Sequence, residues 1–180
     1  MKTRTSLCVL ALVVASTQAN AEDKARVSSV SGTVTYAATG AGSFSPLAAG
    51  AEIPVGSRVR TGSDGTAVIV VVSGAAMQVS ENSDVTIEAM SSDAAKRKAL
   101  VSLKTGTVSA LIDPKRSKQT DFKIQTPQGV AAARGTFYGV TVQKGKTYVG
   151  VKKGKVGVAH TPKVGSQNLV SRESQRTPSL

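Results

Sequence analysis

Few side chains in this 180-residue sequence are of the kinds that carry out covalent or metal chemistry, for it holds one His and one Cys. His160 lies towards the C-terminal end, so a Ser-His-Asp relay would have to be built on a terminal segment, whereas the relay needs an imidazole fixed between two partners. No His pair or Cys pair is available to hold zinc. Glu81 and Asp84 bracket Asn82 and Ser83, a composition that shapes a turn rather than a calcium loop. A Gly-x-x-x-x-Gly-Lys-Ser/Thr phosphate loop is missing. These residues predict a chain that is not an enzyme and that needs no metal and no cofactor.

What the chain does offer is cationic. Lys144, Lys146, Lys152, Lys153 and Lys155 occupy two successive Lys/Gly turns, and the spacing predicts one basic end of a domain. With three Phe, three Tyr and no Trp in the whole chain, few aromatic rings interleave with these lysines. Base stacking is then poorly served, and no specific nucleic acid is expected as a partner. Arg134-Gly135-Thr136 allows two roles. Gly135 can take a positive φ or let two backbones approach, with Arg134 donating its five N–H groups to nearby carbonyls and Thr136 opening a strand. Alternatively Arg134 is an exposed anion contact.

The compartment follows from the N-terminus. Lys2 and Arg4 precede an apolar run from Leu7 to Ala15, and Ala19-Asn20-Ala21 has the small-x-small form of a cleavage site. The run falls short of the roughly 20 apolar residues a spanning helix needs. Residues 1–21 therefore read as a signal peptide, and the expected location is the periplasm or the extracellular space, with no membrane span after cleavage. Cys8 lies inside the signal without the small residues that precede a lipidated Cys. The mature chain then has no cysteine, so no disulfide supports it.

Charge is segregated along the mature chain. Loss of Lys2 and Arg4 leaves 21 basic and 11 acidic residues, a net of +10. Residues 22–95 carry four basic and eight acidic side chains, whereas residues 96–180 carry seventeen basic and three acidic ones. Such asymmetry suits an anionic partner or a merely solvated face.

Period-2 patterning bounded by Gly and Pro positions these groups on strands. Val27–Tyr36 reads as a first strand, and a short edge piece surrounds Ile53 and Pro54. Thr66–Val72, the most apolar run of the mature chain, reads as a strand covered on both faces and paired on both edges. Leu100–Lys104 and Thr107–Ile112 read as a hairpin about Thr105-Gly106, with Val101, Leu103, Val108, Ala110 and Ile112 inward. From Phe122 to Ala159 the pattern predicts a β meander, Thr126-Pro127 ending one strand and Arg134-Gly135-Thr136 launching the next. A faint echo places a Gly two residues before an inward Val at Gly32, Gly106 and Gly154. The fold class expected is all-β: a single domain over 22–160 of short stacked strands, β-solenoid-like, or alternatively a two-sheet β-sandwich. Residues 161–180 read as a mobile tail.

The order Phe122-x-Ile124-x-Thr126-Pro127, Arg134-Gly135-Thr136-x-Tyr138-x-Val140 and Val151-x-x-Gly154-x-Val156-x-Val158 resembles the C-terminal half of the FecR domain. Upstream, Gly50–Gly56 and Val59–Gly62 resemble that family's paired glycine turns, so the resemblance covers about residues 27–159. It implies an all-β domain of short stacked strands that receives a signal from an outer-membrane partner. In the family that signal passes through a membrane span to a sigma factor. This sequence departs from the pattern in showing neither the cytoplasmic segment nor the span before the domain. The function expected is a non-enzymatic, exported binding domain in envelope sensing or signalling. The alternative is a structural scaffold that holds anionic polymers through its basic half. The partner expected is an envelope protein or an anionic envelope polymer.

Overall fold

Alternating β-branched and polar residues produce fourteen strands and, among the described residues, no α-helix. The computed structural model describes residues 23–93, 95–116, 118–133 and 135–160. The expected signal peptide, the expected tail and Arg134 lie outside the described residues, as does the side chain of Lys153. In chain order the strands are β1 (Lys24–Ser31), β2 (Val34–Ala37), β3 (Ser45–Pro46), β4 (Glu52–Pro54), β5 (Arg58–Thr61), β6 (Thr66–Val72) and β7 (Ala75–Val79). There follow β8 (Asp84–Ser91), β9 (Arg97–Ile112), β10 (Thr120–Thr126), β11 (Gly129–Ala133), β12 (Phe137–Gln143), β13 (Lys146–Lys153) and β14 (Val156–His160).

Hydrogen bonds link all fourteen into one sheet, which curls into two layers because β9 runs through both. One layer runs β4, β1, β6, β7, the second half of β9, β12 and β13. The other runs β3, β2, β5, β8, the first half of β9, β10, β11 and β14. The chain thus advances along both layers in step, from β3 and β4 at one end to β13 and β14 at the other. That is the winding of a solenoid, with a sandwich-like core between the layers. The core is one continuous aliphatic cluster, in which Ile53, Val59, Ile69, Leu103, Val108, Phe122 and Tyr138 are fully buried.

The expected hairpin at Thr105-Gly106 is instead the corner of a single 16-residue strand. Ala99, Val101 and Leu103 face the core in one layer, and Val108, Ala110 and Ile112 face it in the other. The parity of the inward positions changes between them, at Gly106, whose φ is 91°. A hairpin needs a two-residue reversal. Here one left-handed residue only bends the chain, and each half of the strand keeps neighbours on both edges. Ser83 packs into the corner, its hydroxyl accepting the Thr107 N–H at 2.9 Å.

Three further expectations are corrected by the same winding. The predicted first strand is two, β1 and β2, because the chain changes layer at Gly32. The stretch from Phe122 onward is not a meander: β14 pairs with β11, not β13, because the chain changes layer again at Gly154. The alanine-rich run after Gln128 is itself a strand, β11, hairpin-paired with β10. The pattern Gly32, Gly106, Gly154 therefore marks layer crossings, with φ values of 65°, 91° and 97°. On β6, pairing on both edges is seen, to β1 and β7, but only one face is covered, and Val70 is 37% exposed.

The two ends of the coil differ. At the first, the segment from Ala38 to Pro54 folds across the core and buries Leu47 and Ile53. The Arg60 guanidinium stacks 4.3 Å over the Phe44 ring, and the Thr39 hydroxyl donates to the Val55 carbonyl at 2.8 Å. The edge strands there are two and three residues long and each ends in Pro, a combination that blunts an edge.

Candidate functional site

In the first half the main charged cluster is built into the fold. Arg58 grips Asp84 through both carboxylate oxygens, with Nε to Oδ1 at 2.6 Å, and Arg60 Nε adds a bond to Oδ2 at 3.1 Å. Burial opposes ionisation of Asp84, but the hydrogen bonds and charge of the two arginines outweigh it and hold the carboxyl below its usual range. This joins β5 to β8. Glu81, expected with Asp84 as turn residues, is exposed in the turn before β8.

The second half is different. Lys144 lies in the β12–β13 turn with a φ of 49°, and Lys146 opens β13. Lys152 sits near the far end of β13, its Nζ 5.6 Å from the Phe137 ring centroid. Lys155 follows the crossing at Gly154. With roughly 3.3 Å per residue, Lys146 and Lys152 stand about 20 Å apart. The lysines therefore do not gather at a single point of the strand. They frame β13 at both of its ends, because successive turns of an extended strand close opposite edges of a layer. Among the described residues no ion pair involves Lys144, Lys146, Lys152 or Lys155.

Between these lysines lies an incomplete core layer. Register with β12 turns Thr147, Val149 and Val151 inward. Register with β11 does the same for Val156, Val158 and His160 on the opposite layer. The described residues cover them only in part: Val149 and Val156 pack against the core, but Val151 is 47% and Val158 61% exposed, and on the outer face Tyr148 is 55% exposed. A groove of about 350 Å³ opens here, lined by Thr126, Ala131, Thr147, Val149, Val158 and His160 among others. Its polar edge is a latch between the layers. The Thr147 hydroxyl donates to Thr126 Oγ1 at 3.0 Å and also contacts Gln128 Oε1, while Gln128 Nε2 donates to the Gly145 carbonyl at 2.7 Å.

The other singled-out residues lie at the two ends of β11. Pro127 is exposed in the β10–β11 turn, and Gly135 has a φ of 64°. Thr136 is buried, and its carbonyl accepts the Ile112 N–H at 3.0 Å. Tyr138 is fully buried; burial pushes its phenol well above its ordinary range, and its hydroxyl finds no partner among the described residues. The open groove was not read from the sequence. Its signal was the lack of any apolar strand pattern after Val158 to cover the last valines.

Among the described residues, no three His, Cys, Asp or Glu side chains come together in a way that could hold a metal ion, and no helix is long and apolar enough to cross a membrane. The fold and the site define a small all-β domain of stacked coils, closed at its acidic beginning and open at its basic end. The chain belongs to the FecR protein family, whose match covers residues 57–157, from just before β5 into β14. No curated protein and no solved structure matches it. Family membership gives the domain a regulatory, sensing role at the cell envelope.

Proposed function

We propose that this chain is an exported, non-enzymatic sensing domain that binds an anionic envelope partner through the basic half at the open end of its coil. The observation that carries this reading is the charge segregation: seventeen basic against three acidic residues after position 95, with four lysines framing an open apolar layer. FecR family membership supports an envelope sensing role, and the N-terminal signal pattern supports export to the periplasm or beyond. Scaffolding of anionic polymers would use the same lysines but has no need of the exposed valines beside them.

The test is retention of the mature chain on heparin and on anionic vesicles at low salt. Replacing Lys144, Lys146, Lys152, Lys153 and Lys155 by Gln leaves the melting temperature nearly unchanged, since surface substitutions usually shift stability by under about 0.5 kcal/mol. The same change lowers the salt needed for elution. Deletion after Pro162 is the control for Lys163, Arg172 and Arg176. If only that deletion weakens retention, the folded basic end is not a binding surface.

A further inference from the structure

At the basic end the last strands of both layers, β13 and β14, are hydrogen-bonded on one side only among the described residues. β13 is eight residues long and contains no Pro, in contrast to the short, proline-ended strands at the opposite end of the coil. A strand of that kind presents a row of free N–H and C=O groups to any chain that can lie alongside it. We propose that the free edge of β13 receives an extended segment of a partner protein in which acidic and apolar residues alternate, added as the next strand of its layer. The proposal rests on reading the basic end as the binding surface, and it names the chemistry of what binds there.

Three features specify that segment. Residues directly opposite one another on paired strands share a face. Inward positions of the incoming strand would therefore continue the row Thr147, Val149, Val151 and complete the layer that Val158 leaves open across the groove. These positions call for apolar side chains. Outward positions would continue Lys146, Tyr148, Gly150 and Lys152, so carboxylates fit opposite the two lysines. Lys152 is already held on this face by the Phe137 ring. In length, a partner of about eight residues spans the roughly 26 Å of β13.

The same charges argue against the chain's own material as occupant. A second copy of the basic edge would set lysine against lysine, the device by which natural edge strands refuse to pair with themselves. The opposite end of a second copy offers only two- and three-residue edges that finish in Pro46 and Pro54. Residues 161–180 carry Lys163, Arg172 and Arg176 against the single acid Glu173, so they too would add like charge. Charge complementarity selects a foreign acidic strand. β14 is the poorer edge, since its outward residues Gly157 and Ala159 carry no charge.

The experiment titrates the mature chain, residues 22–180, with acetylated and amidated peptides. The probes are (Glu-Val)4, (Lys-Val)4 and a (Glu-Val)4 methylated at every backbone nitrogen, which keeps the charge but cannot donate to a neighbouring strand. Binding is read by calorimetry and by amide hydrogen exchange. The expected result is that (Glu-Val)4 binds and slows exchange across Lys146–Lys153, with both other peptides at least tenfold weaker. The double variant Lys146→Glu/Lys152→Glu should reverse the preference between the acidic and basic peptides, by roughly tenfold for two exposed charge pairs. Equal binding of the methylated peptide would overturn strand addition while leaving anion binding intact. Protection confined to β14, or acidic-peptide binding that rises tenfold once residues 163–180 are removed, would also overturn it, the latter by naming the tail as the occupant. Failure of every peptide on a protein that still elutes from heparin as described would refute this proposal alone; failure of both would refute the reading beneath it as well.

Discussion

Replacing Gly106 by Ala tests the corner on which both layers depend. A Cβ at this position would carry φ 91° and would fall on the Cα, Cβ and hydroxyl of Ser83, well inside van der Waals contact. Holding a non-glycine residue left-handed costs about 1–3 kcal/mol. Pushing Ser83 aside adds an overpacking cost of about 1–3 kcal/mol, because backbone rather than a flexible side-chain tip must move. The bond from the Thr107 N–H to Ser83 Oγ would also be lost, at about 1 kcal/mol. The sum is about 3–7 kcal/mol, a large part of the 5–15 kcal/mol typical of whole domains. At about 3–5 °C per kcal/mol for a domain of this size, the melting temperature should fall by roughly 10–35 °C. Gly145→Ala supplies the comparison, because its φ is 69° but nothing lies within 4 Å of the added carbon. Thermal and urea unfolding followed by far-UV circular dichroism would measure both. A Gly106→Ala protein that melts within about 2 °C of the parent, or no lower than Gly145→Ala, would refute the corner.

Two further predictions concern single polar groups. Asp84 has a lowered folded-state pKa, so its contribution is present above the unfolded value near 3.8 and is lost as pH falls through the folded one. Asp84→Asn should therefore cost about 1–3 kcal/mol at neutral pH and flatten the loss of stability below about pH 4, as read from urea midpoints across pH. Tyr138→Phe removes a buried hydroxyl without a partner among the described residues, so stability should hold or rise by up to about 1 kcal/mol. A loss of more than about 1 kcal/mol in urea unfolding would mean that the hydroxyl has a partner after all.

Sequence alternation made the inward faces legible. Val101, Leu103, Val108, Ala110 and Ile112 are buried as their spacing predicts. What alternation does not encode is the neighbour. A period-2 pattern fixes which face a residue takes, while the partner strand is chosen by non-local pairing. That is why the stretch about Gly106 read as a hairpin and the one through Gly154 as a meander, although both are crossings between layers. The recurrence of Gly before an inward Val was visible, yet its meaning needed the second layer. β11 was obscured by its alanines, which have low strand propensity although Ala131 and Ala133 are buried. The lysines were legible as a charge excess and not as a geometry. Turns that are consecutive in sequence lie at opposite ends of the strand joining them, so the lysines form a frame around an open apolar layer.

The proposed meeting place of this domain and its partner is the basic end of the coil. Site-specific photo-cross-linking in the intact envelope tests it most directly, with the reactive group placed at Tyr148 on β13 or at Ala49 on the closed end. Both positions are exposed and lie at opposite ends of the winding. The expected result is a discrete cross-linked species from Tyr148 that disappears when Lys144, Lys146, Lys152, Lys153 and Lys155 are replaced by Gln, and none from Ala49. A cross-link from Ala49 alone, or one from Tyr148 that survives loss of the five lysines unchanged, would contradict it.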